Sequence, residues 1–203
     1  MRYADAYLGE LPYQTAPATL PNSCGIMASV ELMTTRLRLR DFELGDYQAV
    51  HAFATDLAVV RYVEWGPNTP KETQAFLREA IASADISPRQ RYALAIMVPS
   101  DANRLIGSIE LRVVSCEHRR GEIGYVLARE SWGLGYATEA TRRLLTFGFD
   151  ELGLHKISAT CDPENRASVA VLTKNGMHQE GVLRDHVYSR GHWRDRVLLS
   201  VIG

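Results

Sequence analysis

Apolar and polar positions alternate with period two in some stretches of this chain and recur every three to four residues in others. The switches between these patterns mark its elements. Leu37 and Leu39 alternate with Arg36, Arg38 and Arg40, which predicts a first strand. Residues 43–55 carry Leu44, Tyr47, Val50, His51 and Ala54 at helical spacing. A second helix is expected over 71–82, entered after Pro70, with Phe76, Leu77 and Ile81 on one face. Strands at 92–98 and 104–114 flank a turn at 99–103, and 122–128 completes a meander. A helix over 136–152 has Ala140, Leu144, Leu145 and Gly148 along one stripe, with Gly153 placed to end it. A strand at 156–161, a helix from Asn165 to Asn175 and Gly176, and two strands at 178–188 and 193–202 close the chain, with Gly191 in the last hairpin. The reading is one α/β domain over 34–203, built on a mixed sheet of about seven strands. Residues 1–33, with Pro12, Pro17 and Pro21 among small polar residues and no sustained period, are expected to be a flexible N-terminal extension.

Composition narrows the class. A chain of 203 residues with 46% apolar and 23% charged positions suits a globular enzyme. Its net charge of −1 turns the expectation away from nucleic acid or an anionic membrane as the main partner. No apolar run is long enough to span a bilayer, and the first thirty residues lack the cationic start and apolar core of a secretion signal. Cys24, Cys116 and Cys161 are odd in number and far apart, giving neither a disulfide framework nor a zinc site, so a reducing cytoplasm is the expected setting. The histidines show no His-Glu-x-x-His spacing and there is no Gly-x-Ser-x-Gly elbow, so no metal is expected and serine-nucleophile chemistry loses ground.

One stretch carries chemistry of its own. Between the predicted strand at 122–128 and the predicted helix at 136–152 lies Ser-Trp-Gly-Leu-Gly-Tyr-Ala-Thr, residues 131–138. A glycine turn at a helix start leaves N–H groups unpaired at the positive end of the helix dipole, a place for phosphate oxygens. Gly133 and Gly135 allow close backbone approach. The dinucleotide fingerprint fails at Thr138, where its third glycine would stand, and no Gly-Lys-Ser/Thr follows for a nucleotide P-loop. An ordinary turn before a helix remains the alternative to an anion site.

The order of elements around this loop resembles the GNAT N-acetyltransferase superfamily, in its RimJ/RimL-type branch of ribosomal-protein N-terminal acetyltransferases. The residues that carry the resemblance are Gly-Glu-Ile-Gly-Tyr-Val-Leu at 121–127, Trp-Gly-Leu-Gly-Tyr-Ala-Thr-Glu-Ala at 132–140, Asn165-Arg-Ala-Ser168, Lys174-Asn-Gly-Met177 and Glu180-Gly-Val-Leu-Arg184 with Gly191 and Asp195. The resemblance implies helices on both faces of a mostly antiparallel sheet, a central parallel pair that splays apart, and acetyl-CoA as cosubstrate without a metal. It implies that Trp132, Gly133, Leu134, Gly135, Tyr136, Ala137 and Thr138 hold the pyrophosphate through backbone N–H groups. Trp132 departs from the Gln/Arg that opens the superfamily's pattern, which removes one polar anchor. Pantetheine would insert along Tyr125, Val126 and Leu127, with an N–H, that of Leu127, polarising the thioester carbonyl. Asn165 and Ser168 would contact the pantetheine or thiol. Asn165 also reads as a helix N-cap, and Ser168 as a solvent-facing serine.

Acetyl transfer needs a neutral amine, a polarised carbonyl and a proton for the departing thiolate. At pH 7, deprotonating an α-amine costs roughly 1 kcal/mol against about 4–5 for a lysine amine. A protein N-terminal α-amine is therefore the acceptor first expected, by direct attack in a ternary complex. A small-molecule amine (antibiotic or polyamine) and a non-catalytic acyl-CoA-binding module are the alternatives. Glu122, on the same strand face as Gly124 and Val126, is the expected base. Glu110 is its rival, and a pairing of Glu122 with Arg119 or Arg120 is the bland reading. The superfamily's thiolate acid, a tyrosine, falls on Leu172, so Ser168, Tyr188 or water would serve, if any acid does. The acceptor groove is expected between the 43–70 region and the closing hairpin, with Tyr62, Trp65, His186, Tyr188 and Trp193 about it and Arg184 and Asp195 positioning the hairpin. A monomer or homodimer is expected.

Overall fold

The period-two stretches become a single eight-stranded sheet in the computed structural model of the chain, which describes residues 29–203. The strands are β1 (Glu31–Met33), β2 (Arg38–Asp41), β3 (Arg91–Val98), β4 (Arg104–Ser115), β5 (Arg120–Leu127), β6 (Lys156–Cys161), β7 (His178–Ser189) and β8 (His192–Ile202), in spatial order β1-β2-β3-β4-β5-β6-β8-β7. Every pairing is antiparallel except β5 with β6. The helices are α1 (Tyr47–Thr55), α2 (Pro70–Ala84), α3 (Tyr136–Thr146) and α4 (Arg166–Lys174).

Both faces of the sheet are covered, and strand alternation divides the core accordingly. Tyr92, Leu94 and Ile96 of β3 pack with Leu144 of α3 and Leu172 of α4, while Ala93, Ala95 and Met97 pack with Phe53 of α1 and Leu77 of α2. A strand buried on both sides reads as a continuous apolar run, which is the pattern of β3.

The structure departs from the sequence reading at two elements. The sheet begins at β1, inside the segment assigned to the extension; residues 1–28 of that segment lie outside the described residues. Val30 and Leu32 are buried, and the Val30 N–H donates to Asp41 Oδ2 at 2.9 Å. Three residues are too few to display a period. The helix expected over 136–152 is α3 followed by a wider π turn, Phe147–Glu151. Gly148 lies so close to the sheet that a Cβ there would meet Ile157 Cδ1 at 2.6 Å.

The start of α2 is locally encoded. Thr69 is extended and accepts the Glu72 N–H, the Glu72 carboxylate accepts the Thr69 N–H at 2.7 Å, and Pro70 occupies the first helical position. Thr69→Ala is expected to cost about 1 kcal/mol of stability, read from urea denaturation midpoints. An unchanged midpoint would mean that α2 is held by its packing alone.

Candidate active site

The single parallel pair sets the site. β5 and β6 are paired only at Arg120, Gly121 and Glu122 with Lys156, Ile157 and Ser158, and beyond Glu122 the strands separate. On its other edge β5 stays bonded to β4 along its length. The Ala128 N–H donates to the Ile106 carbonyl directly opposite, at 2.8 Å, so the hydrogen-bonded pairs with β4 fall on alternate residues: Val126, Gly124 and Glu122. The main-chain groups of Ile123, Tyr125 and Leu127 therefore point toward β6; the Ile123 N–H belongs to the last step of the ladder, opposite Ser158, and beyond it the Ile123 carbonyl, both groups of Tyr125 and the Leu127 N–H face the opening. An extended chain laid along this edge would meet a row of N–H and C=O groups at strand spacing.

At the C-terminal end of β5 the chain passes through a short 3-10 turn, Arg129–Ser131, into the glycine loop. Gly133 and Gly135 take φ of +75° and +80°, the left-handed conformation that favours glycine. The first bond of α3 runs from the Glu139 N–H to the Gly135 carbonyl, so the N–H groups of Tyr136, Ala137 and Thr138 have no intrahelical acceptor. Trp132 uses its one side-chain donor within the protein. Its Nε1–H donates to the Leu127 carbonyl at 2.9 Å and ties the loop to the edge of the opening.

A cleft of about 860 Å³ lies on the α1/α2 face of β5 and continues between β5 and β6 to α4. Glu122, Gly124 and Val126 form part of its floor. Glu110 also lines it but is held between Arg91 (Nε–Oε2, 2.9 Å) and Arg112 (2.8 Å). The Glu122 carboxylate makes no ion pair or hydrogen bond among the described residues, with Arg119 and Arg120 or with any other. On the far wall Asn165 caps α4, its Oδ1 accepting the Ser168 N–H at 3.1 Å, which leaves its amide N–H groups for another acceptor. Ser168 and Leu172 line the cleft one turn apart, Leu172 almost wholly buried. Tyr125 reaches across the opening, its hydroxyl 3.4 Å from the Ser168 carbonyl, and burial pushes its phenol up to about 12. Cys161 lines the cleft as a buried thiol that burial pushes up, so it stays protonated.

The acceptor side differs in part from the sequence expectation. Tyr62 and Trp65 line the cleft, whereas His186, Tyr188 and Trp193 do not. Tyr188 and Trp193 instead form an exposed edge-to-face pair with centroids 5.3 Å apart. The closing hairpin acts through its arginines. Arg190 donates to the carbonyls of Val60 and Arg61, and Arg196 to the Tyr62 carbonyl and Glu64, which fixes the 60–66 wall. Asp195 accepts the Asp185 N–H, and no ion pair joins it to Arg184 among the described residues. Missed from sequence were Glu72, Phe76 and Glu79 of α2, which line the cleft at spacings of four and three. This stripe lies beside the core stripe of Thr73, Leu77 and Ala80, and the mixed polarity of the pair hid it.

A sheet that parts between its parallel strands, beside a helix start with free N–H groups, is the architecture of an acyl-group transferase. Residues 36–178 match the family model described as Acetyltransferase (GNAT) domain. The chain belongs to the GNAT family of N-acetyltransferases. The uncharacterized N-acetyltransferase YnaD of Bacillus subtilis (strain 168) is 33% identical over 174 residues, 85% of this chain and 97% of YnaD. A GNAT-family acetyltransferase from Bacillus anthracis of known crystal structure is 31% identical with a TM-score of 0.76, over 85% of this chain and 98% of that one. Mycobacterium smegmatis RimJ, solved in complex with CoA-disulfide, is 25% identical with a TM-score of 0.71, over 86% of this chain and 87% of its own. Among the described residues no helix is long and apolar enough to cross a membrane, and no three His, Cys, Asp or Glu side chains are grouped to hold a metal.

Proposed function

We propose that the protein moves the acetyl group of acetyl-CoA to a primary amine, by direct attack in a ternary complex within the β5–β6 cleft. The observation that carries this reading is the continuity of two sets of backbone groups without a partner in the sheet or helix: the Tyr125 groups and the Leu127 N–H along the opened strand edge, then the N–H groups of Tyr136, Ala137 and Thr138 at the helix start. The first suits the amides of a pantetheine arm and the second its diphosphate. Tyr125 lines the cleft and Leu127 does not, so the Tyr125 N–H is the better placed to polarise the thioester carbonyl, with Leu127 holding the arm. Glu122 takes a proton from the attacking amine, directly or through water. The departing sulfur is protonated in turn, and Ser168, one of the hydroxyl side chains lining the cleft, is the donor in this reading. Ser168→Ala is expected to lower kcat about tenfold while KM for acetyl-CoA changes little. A raised KM with unchanged kcat would make Ser168 a pantetheine ligand instead.

The acceptor in this reading is a cationic amine, first of all a peptide α-amine. A polyamine is the second reading, favoured by charge. Glu64, Glu72, Glu79, Glu110, Glu122 and Asp162 line the cleft against Arg91, Arg112 and Arg196. Glu110, Glu64 and Asp162 are each paired closely to arginine, Glu79 more loosely to Arg91 at 3.9 Å, and Glu72 caps α2 through Thr69, which leaves Glu122 as the lining carboxylate with no side-chain partner among the described residues. Glu72 and Glu79 stand roughly 10 Å apart along the helix. Cytoplasmic residence belongs to the same proposal, which the buried thiol of Cys161 suits. The test is thiol release from acetyl-CoA with Ser-, Ala- and Thr-starting peptides, polyamines and aminoglycosides. Release with none of them would leave an acyl-CoA-binding module.

A further inference from the structure

The glycine loop carries no cation of its own. Residues 131–138 offer Trp, Leu, Tyr and small side chains, and the first turn of α3 adds a carboxylate, Glu139. An anion at a helix start favours the helix but opposes a second anion arriving at the same N–H groups. The neutralising charge comes from the turn between β1 and β2. The Arg36 guanidinium lies 2.6 Å from Glu139 Oε2, donates to the Leu134 carbonyl at 2.9 Å and stacks 4.7 Å from the Tyr136 ring centre. Its Nη2 is 3.4 Å from where a Gly135 Cβ would stand. Glu139 also accepts the Arg36 N–H at 2.9 Å and the Thr34 hydroxyl at 2.6 Å, so the turn is docked on the loop at several points. Burial pushes the Glu139 carboxyl up, but these hydrogen bonds outweigh it and hold it below the usual carboxylate range. It remains charged and keeps the guanidinium in place. Nε, Nη1 and Nη2 of Arg36 each make a contact here, and N–H groups on Nη1 and Nη2 remain uncommitted. The side chain is 45% exposed, so those donors are open to a ligand.

We infer that Arg36 is a diphosphate-recognition residue, whose guanidinium, oriented by Glu139 and the Leu134 carbonyl, meets the diphosphate of CoA at the loop. This rests on the reading of the cleft as the CoA site. A planar fork held on one side by a carboxylate suits recognition of phosphate oxygens on the other. The role differs from that of the backbone N–H groups, because it is a full charge and is supplied from a segment about a hundred residues away.

The test compares CoA with pantetheine, which lacks the diphosphate, by calorimetric Kd. Arg36→Gln, which can still donate to Leu134, is expected to weaken CoA about tenfold, to leave pantetheine unchanged, and to flatten the dependence of CoA affinity on salt. Arg36→Lys, which keeps the charge, should recover most of the loss. Equal weakening of CoA and pantetheine, or unchanged CoA affinity in the Gln variant, would overturn the inference. A purely structural role predicts the former together with a lowered ligand-free melting temperature. Should the Gln variant not fold, the wild-type chain decides. CoA, and not pantetheine, should protect Arg36 from phenylglyoxal, read by peptide mass, and equal modification with and without CoA overturns the assignment. Wild-type protein that binds pantetheine but not CoA removes the role of Arg36 alone, whereas failure to bind either removes the CoA-site reading beneath it.

Discussion

Gly135→Val is expected to abolish the stabilisation that acetyl-CoA gives the wild-type protein. A ligand that binds only the folded state raises its stability by mass action, so ligand at a hundred times its Kd adds about 2.7 kcal/mol and lifts the melting temperature by several degrees. Gly135 is the N-cap of α3 at φ +80°, where a β-branched side chain is strained. The new Cβ would stand 3.4 Å from Arg36 Nη2, and its methyl groups would reach further toward the guanidinium. The substitution thus disturbs the loop's backbone and its cation together. Strain of this kind costs on the order of 1–3 kcal/mol, so the ligand-free protein should also melt earlier. The two effects separate in one titration: ligand-free melting reports the strain, and the ligand-induced shift reports the loop. A folded Gly135→Val protein that keeps the full acetyl-CoA shift would remove the loop from cofactor binding.

What the sequence displayed and what it hid follow from the range of the interactions. The loop was legible because strand, glycine turn and helix start are contiguous, and the free N–H groups of Tyr136, Ala137 and Thr138 follow from the start of a helix alone. Asn165 was legible as an N-cap for the same reason. Strand alternation placed Glu122 with Gly124 and Val126, and all of them line the cleft. Hidden were contacts between distant segments. Arg36 and Glu139 meet across 103 positions, and Arg190 reaches the Val60 carbonyl across 130. In the sequence Arg36 only alternates with Leu37 and Leu39, and nothing local distinguishes a solvated strand arginine from one that docks a loop. The same holds for Arg89, wholly buried against Asp41 at 2.5 Å, 48 positions away. Trp132 stands where the superfamily pattern has a polar side chain, and the sequence does not display that its indole finds a main-chain acceptor once the loop has folded back over Leu127.

Glu122→Gln is expected to lower kcat by roughly a hundredfold at neutral pH, within the usual range for loss of a general base. The substitution keeps shape and hydrogen-bonding capacity while removing the basic carboxylate. The structure gives reasons to choose Glu122 over its neighbour. Both carboxylates lie on the cleft face of adjacent strands, but Glu110 is clasped by Arg91 and Arg112 at 2.9 and 2.8 Å, whereas Glu122 is in no ion pair among the described residues. Each oxygen of the Glu110 carboxylate is engaged by a guanidinium group, so the carboxylate is not free to turn toward an attacking amine. Glu110→Gln should therefore affect stability or KM more than kcat. In Glu122→Gln the CoA affinity should hold, since the proposed CoA site uses the strand's main chain and the loop rather than this side chain. Activity should recover as pH rises, because an α-amine with a pKa of about 7.7–8 loses its proton unaided near pH 9. The recovery also separates acceptors. A polyamine or lysine amine, with a pKa nearer 10, would need a more alkaline solution for the same rescue. Steady-state kinetics from pH 6 to roughly 9.5 on both variants decides the assignment. Wild-type turnover by Glu122→Gln at pH 7 would transfer the role to bulk water, and a loss confined to Glu110→Gln would transfer it to the neighbouring strand.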